Sequence, residues 1–482
     1  MSDVRPSGSH LVRQIGLASG VSVVIGSTIG SGIFKSPSDI AGQLPGPLPM
    51  LGVWLLGGLI VLCGALTLGE VGGAFPYSGG LYVFVREAYG RVPAFLFGWA
   101  QLVLLRPSSI GAVAIVFGQY LLRLTGKHEG DPGFLQTSAA FSVAAVVTVT
   151  AANLFGVKIG TSIQNLTVIA KTAGLLVLIL LAFALTKGGH FSPAVPAGSF
   201  SVPMFGLALV SVLWAYDGWA DGSYIGGELV NPRKNVPRSI LFGTLAVIAV
   251  YILANLAYLS VFSVQEIAKS PIIAADSMSK LVGAWGVTFI VATVMLSTFG
   301  TLNGTVLTSP RIFFAMAEDR LFFEPLSWVH PRFKTPYVSV LMTGVLGIAY
   351  VIVATIMSGS KAFGALTDAF VIGIVPFYML SVGSVFVFRR REKRRIADGG
   401  PLPDSLVDPV SDGHLETHPH AYNPPVHTPL YPVTPIIFIA ATLFLLTNSL
   451  LTPDSRNPTL VTLGILLAGV PVYYGTIARR SN

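Results

Sequence analysis

Residues 26–32 read Gly26-Ser27-Thr28-Ile29-Gly30-Ser31-Gly32, and residues 214–222 read Trp214-Ala215-Tyr216-Asp217-Gly218-Trp219-Ala220-Asp221-Gly222. Each stretch lies inside an apolar run of about 20 residues or more, the length that crosses the hydrocarbon core as a helix. Three glycines in the first stretch weaken a helix by about 1 kcal/mol each relative to alanine, and the Ser and Thr hydroxyls offer the backbone other partners. Alone, that stretch also fits a small-residue packing face, because Gly26 and Gly30 make a GxxxG spacing. The second stretch tips the reading toward a break, since it sets two glycines and two acids inside another span. Interrupted helices at corresponding places in two halves point to a binding site at a repeat interface. The two breaks are five spans apart, and an odd number turns the second half upside down. The expected architecture is all-α and polytopic, a five-plus-five inverted repeat with broken spans 1 and 6 and two spans appended. Unwound backbone exposes N–H groups at one half-helix end and carbonyls at the other, so one site can hold a carboxylate and an ammonium without a charged side chain. An α-amino acid is the ligand that matches such a pair of ends.

Composition supports a membrane class. Hydrophobic residues without glycine make up 52% of the 482 residues and charged residues 11%, against about 45–50% with glycine and about 25% in soluble domains. The mean hydropathy is +0.71. That excludes in practice a nucleic-acid binder, a secreted disulfide scaffold and an ordinary soluble enzyme. The single Cys63 lies within the apolar run 51–68, so no internal disulfide is expected. The polar stretch 1–14 has no signal-peptide pattern.

Twelve spans are expected, at 15–36, 50–75, 93–123, 135–155, 159–185, 203–228, 238–262, 284–314, 336–358, 364–388, 433–452 and 458–478. The corresponding division is a cytoplasmic N-terminus 1–14, a first repeat 15–185, a second repeat 203–390, a cytoplasmic loop 391–432, two final spans within 433–478 and a cytoplasmic C-terminus 479–482. With the N-terminus inside, 20 Lys and Arg fall in inner segments and 7 in outer loops, the asymmetry that sets orientation. The surplus of positive charge, +8 overall, thus reads as topology. The loop carries His414, His418, His420 and His427, but without a fixed helical spacing no metal site is expected, nor any cofactor.

Three cations fall at or within spans. Lys171 lies about twelve residues into span 5, near mid-membrane, where a lysine costs roughly 2.5–3.5 kcal/mol and a functional partner is the default expectation; the alternative is snorkelling. Arg106 precedes Pro107 in mid-span 3, where it can satisfy a carbonyl freed by the proline or contact substrate; it is left outside the expected site. Lys35 is the third. Glu70 and Glu228 fall near cytoplasmic ends, and both are expected to pair with inner-loop arginines.

The stretches Gly26-Ser-Thr-Ile-Gly-Ser-Gly-Ile-Phe34, Arg106-Pro-Ser-Ser-Ile110, Trp214-Ala-Tyr-Asp-Gly-Trp219, Glu228-Leu-Val-Asn-Pro-Arg-Lys-Asn-Val-Pro-Arg238, Leu296-Ser-Thr-Phe-Gly-Thr-Leu-Asn-Gly304 and Pro471-Val-Tyr-Tyr474 occur in this order. Together they resemble the L-type amino acid transporter (light-subunit-like) branch of the amino acid–polyamine–organocation superfamily, across nearly the whole chain. The resemblance implies a leucine-transporter-type fold and sodium-independent amino acid exchange in the plasma membrane. It places the substrate carboxylate at Ile29, Gly30, Ser31 and Gly32, the ammonium at carbonyls of Thr28, Trp214 and Ala215, and Trp214 as an aromatic gate. By the same resemblance Lys171 stands where sodium-driven relatives hold sodium, tying span 5 to spans 1 and 8, and Asp217 most resembles members that exchange dibasic amino acids. The alternative for Asp217 is an N-cap on the second half of span 6. Three departures stand out: Ala220 replaces an Asn, the paired acids are reduced to Gly227-Glu228, and the 391–421 loop is long. No Cys lies between Leu124 and Phe134, so no disulfide-linked heavy subunit is expected, as in a free-standing prokaryotic-type member.

The expected function is therefore an amino acid exchanger working by alternating access. A proton-coupled amino acid or polyamine permease is the competing coupling, with Lys171 or Asp217 changing protonation. A polytopic membrane enzyme is the reading from another class, and no intramembrane HExxH, paired Asp or Ser/His/Asp arrangement supports it.

Overall fold

The computed structural model describes residues 15–77, 79–127, 130–155, 157–195, 200–333, 335–399 and 422–478. The N-terminal stretch 1–14, most of the expected 391–432 loop with His414, His418 and His420, and the C-terminal stretch 479–482 lie outside them. Among the described residues there is no strand, only one isolated parallel bridge between Ile15 and Leu229.

In chain order the helices are α1 Leu17–Thr28, α2 Gly32–Gln43, α3 Pro47–Ala74, α4 Leu81–Tyr89, α5 Arg91–Ala100, α6 Arg106–Leu124, α7 Phe134–Leu154, α8 Val157–Leu185 and α9 Val202–Tyr216. They continue with α10 Pro232–Val261, α11 Val264–Lys269, α12 Ile273–Val282, α13 Ala284–Glu318, α14 Tyr337–Ser358, α15 Ala362–Ala397, α16 Val433–Leu451, α17 Pro453–Leu467 and α18 Gly469–Val472. Ten helical stretches are long and apolar enough to cross a membrane, eleven with the bent pair α1 and α2 taken as one span. One of the ten, Tyr337–Ala397, is 61 residues long, about 90 Å against a core of about 30 Å, so it must cross twice. It holds α14 and α15, joined by the 3-10 turn Gly359–Lys361, and the count becomes twelve. This is a multi-pass membrane protein of the expected all-α class. Many large apolar side chains face outward, as lipid allows: Met357 is 80% and Ile356 78% exposed.

Several boundaries differ from expectation, among them span 1, which runs on through α2 to Gln43, and span 7, which begins at Pro232. Span 10 does not stop at 388, because α15 runs on to Ala397; Arg, Lys and Glu are strong helix formers, so residues 391–397 are helix rather than loop. Span 6 is not helical to 228, because α9 stops at Tyr216 and is followed by the 3-10 turns Asp221–Ser223 and Gly226–Glu228.

The breaks rest on an aromatic cluster. Trp54 of α3, Tyr216 of α9 and Tyr251 of α10 are fully buried, with ring centroids 5.1–5.9 Å apart. The Tyr216 hydroxyl donates to the Trp54 carbonyl at 3.2 Å. The cluster holds three helices rigid directly behind the site.

Candidate functional site

Helix α1 ends where the first glycine-rich stretch predicts. The Ile29 N–H donates to the Ile25 carbonyl at 2.8 Å, and Ile29 then turns to extended geometry with ψ 92°. Helix α2 restarts at Gly32 at a 42° bend. Its N-cap Ser31 supplies no side-chain cap. The first backbone N–H groups to find acceptors are those of Phe34 and Lys35, on the Ser31 carbonyl. Among the described residues the N–H groups of Gly30, Ser31, Gly32 and Ile33 have no backbone acceptor, the condition that makes a helix N-terminus attract an anion.

The second break touches the first. After the Asp217 N–H donates to the Trp214 carbonyl at 3.0 Å, Gly218 takes φ +104°, and a Cβ there would stand 2.7 Å from the Ser27 carbonyl carbon. A Cβ on Gly32 would stand 2.5 Å from the Ala215 Cα. Only glycine lets the two chains approach so closely.

Between them lies a cavity of about 660 Å³ that runs from Trp214 to Ile15 and Glu228. Thr28, Gly30, Ser31, Gly32, Trp214 and Asp217 all line it, so six expected site residues are brought together. Trp214 is 7% exposed and stands edge-on to Phe370 and Phe363, with centroids at 5.2 and 6.4 Å.

Three expected roles are corrected. Ile29 is fully buried and its N–H is spent on α1, so it offers the cavity neither. The carbonyls of Thr28 and Ala215 lie 2.8 and 2.9 Å from the Tyr251 hydroxyl, which competes with any ammonium; Ala215 itself does not line the cavity. The Thr28 hydroxyl is turned back to the Val24 carbonyl at 2.8 Å. Asp217 is no N-cap either: it is the C-cap of α9, no α-helix starts behind it, and its Oδ1 accepts from the Tyr378 hydroxyl at 2.6 Å.

Lys171 is fully buried and its ammonium donates to the Gly26 carbonyl, tying α8 to α1. Among the described residues it makes no hydrogen bond to α13, which meets α8 by packing instead, Gly174 against Thr293 and Gly300 against Thr167. Glu70 pairs with Arg389 at 2.6 Å as expected. Glu228, in the 3-10 turn Gly226–Glu228, has no ion pair among the described residues and lines the cavity instead.

Among the cavity residues left off the expected site, two besides Glu228 are charged. Arg106 follows a π-helical turn, Gln101–Leu105, and lines the cavity, its Nε donating to the Gln101 amide oxygen at 2.8 Å. It lies within electrostatic reach of Asp217 and of Asp221. Asp221 lines the same cavity and is hydrogen-bonded to the Ser27 side chain. An arginine too deep to snorkel and a second acid in a membrane break were the available signals.

The model of the family "Amino acid permease" matches residues 15–471. The chain is 34% identical to the "Serine/threonine exchanger SteT" of Bacillus subtilis, over 98% of each chain. It is 31% identical to the human "b(0,+)-type amino acid transporter 1", over 84% of this chain and 81% of that one. To the mouse "Asc-type amino acid transporter 1" it is 33% identical, over 69% of this chain and 63% of that one.

Proposed function

Since the chain belongs to the amino acid permease family, we propose that it is a sodium-independent amino acid exchanger of the plasma membrane, not an enzyme, with both termini cytoplasmic. The observation that carries this reading is the meeting of two helix breaks in one cavity, with unpartnered N–H groups of Gly30, Ser31 and Gly32 at the start of α2. The substrate carboxylate docks on those N–H groups, where the α2 dipole favours it. The ammonium docks on the Trp214 carbonyl, and on the Thr28 carbonyl when the Tyr251 hydroxyl turns to Ala215. Trp214, backed by Phe370 and Phe363, closes the cavity on one side while the path along Ile15 and Glu228 stays open; alternating access exchanges the two. Asp217 reads the substrate side chain, favouring a cationic one.

Lys171 replaces a coupling cation by donating to Gly26. Replacing sodium by choline in reconstituted vesicles therefore leaves transport unchanged; a sodium requirement would overturn this. Uptake that requires internal amino acid and ignores a pH gradient marks exchange, whereas uptake into empty vesicles driven by external acid marks the proton-coupled permease. Native-gel migration with no added chain tests the absence of a disulfide-linked heavy subunit. A substrate panel in the same assay defines the side chain carried.

A further inference from the structure

The run Arg389–Arg395 holds six cations and one acid, and the fold divides it by helix face. Arg389 bonds both Glu70 oxygens, at 2.8 and 2.6 Å. Arg391 donates to the carbonyls of Glu87 and Ala88 at 2.7 and 2.8 Å, and Arg395 pairs with Glu392 at 2.5 Å. These three are internal staples. Arg390, Lys393 and Arg394 are exposed and, at spacings of three and four, share the other face of α15. No hydrogen bond or ion pair satisfies them among the described residues.

Their height and their surroundings identify the partner. From Ala362 to Arg390 the helix rises about 42 Å, close to the about 40–45 Å of a bilayer with its headgroups, so with Ala362 at the opposite surface Arg390 stands at headgroup level. On the same side, Phe386, one turn before Arg390, packs on Tyr431, centroids 5.5 Å apart, and the Arg389 guanidinium lies 3.9 Å over the same ring, which places the start of α16 beside the basic face. There Leu430 is 80%, Val433 52% and Ile437 46% exposed. A soluble anion uses only the cations, while a phospholipid uses both the cations and the apolar strip.

We propose that Arg390, Lys393 and Arg394 bind the phosphate of an anionic phospholipid whose acyl chains lie along Leu430, Val433 and Ile437. This site is separate from the amino acid cavity and does not rest on the transport reading. It goes beyond the general inward bias of positive charge, because that bias counts cations and does not select the face of a helix.

The test is native mass spectrometry of the full chain in detergent, titrated with dioleoylphosphatidylglycerol or dioleoylphosphatidylcholine. Each cation near a headgroup contributes roughly fivefold in affinity. The triple variant R390Q/K393Q/R394Q should therefore lose about a hundredfold of the preference for phosphatidylglycerol, with exchange in phosphatidylcholine vesicles at the parent rate. Leu430→Ser should weaken both lipids alike. Glycerophosphoglycerol, which has the headgroup without acyl chains, should not displace the lipid. An unchanged preference in the triple variant overturns the proposal. Displacement by glycerophosphoglycerol overturns it in favour of a soluble anion.

Discussion

Replacing Lys171 by methionine separates folding from transport. The lysine is fully buried in α8, and its one hydrogen bond among the described residues runs to Gly26, two residues before α1 ends at Thr28. Methionine keeps the stem's volume and removes the charge, so the packing around Val168 and Gly26 survives. Loss of a hydrogen bond to a charged group costs about 1.5–3 kcal/mol. Relief of a buried charge offsets that cost in the folded state, so the melting temperature should stay near the parent's. Transport has no such offset if the bond sets the position of α1 in the transporting state: 1.5–3 kcal/mol is about 10- to 150-fold in rate. The assay is the initial rate of exchange in proteoliposomes, paired with a thermal melt of the same preparation. Parent-rate exchange by Lys171→Met, or by Lys171→Ala, would refute the reasoning; a variant that melts far below the parent would show the lysine to be structural only.

Asp217→Asn keeps an acceptor for Tyr378 while removing the charge, so arginine and lysine transport should fall at least tenfold more than alanine or leucine transport; equal losses in a competition assay would assign Asp217 to the break alone. Gly218→Ala places a Cβ 2.7 Å from the Ser27 backbone at φ +104°, a strain of about 2 kcal/mol or more, and should lower the melting temperature and halt exchange. Glu70 is fully buried and accepts from Arg389, Tyr422 at 2.8 Å and the Thr428 N–H at 2.6 Å. Glu70→Ala should cost about 3–5 kcal/mol and open residues 422–428 to proteolysis, and parent-like resistance would contradict that.

The twelve spans and the location of both breaks were legible in the chain itself, because apolar run length and glycine content act through neighbours in sequence. The pairing of Glu70 with an arginine of the 389–395 run followed from the same reading. What the backbone does after the second break was not legible: Asp217 reads as an N-cap, but the 3-10 turns behind it are set by packing of Gly218 on Ser27, nearly two hundred residues away. Which polar groups stay free was also beyond local reading. The Thr28 and Ala215 carbonyls meet Tyr251 because α3, α9 and α10 lock the breaks together through Trp54, Tyr216 and Tyr251, and Arg106 shares a cavity with Asp221 because α6 runs beside both breaks. The division of the Arg389–Arg395 run has the same origin. Its charge could be counted in the sequence, but which cations are spent depends on where Glu70, Glu87 and Ala88 fall in space. Hydropathy sums over residues along the chain, whereas a hydrogen bond is decided by the position of one distant atom.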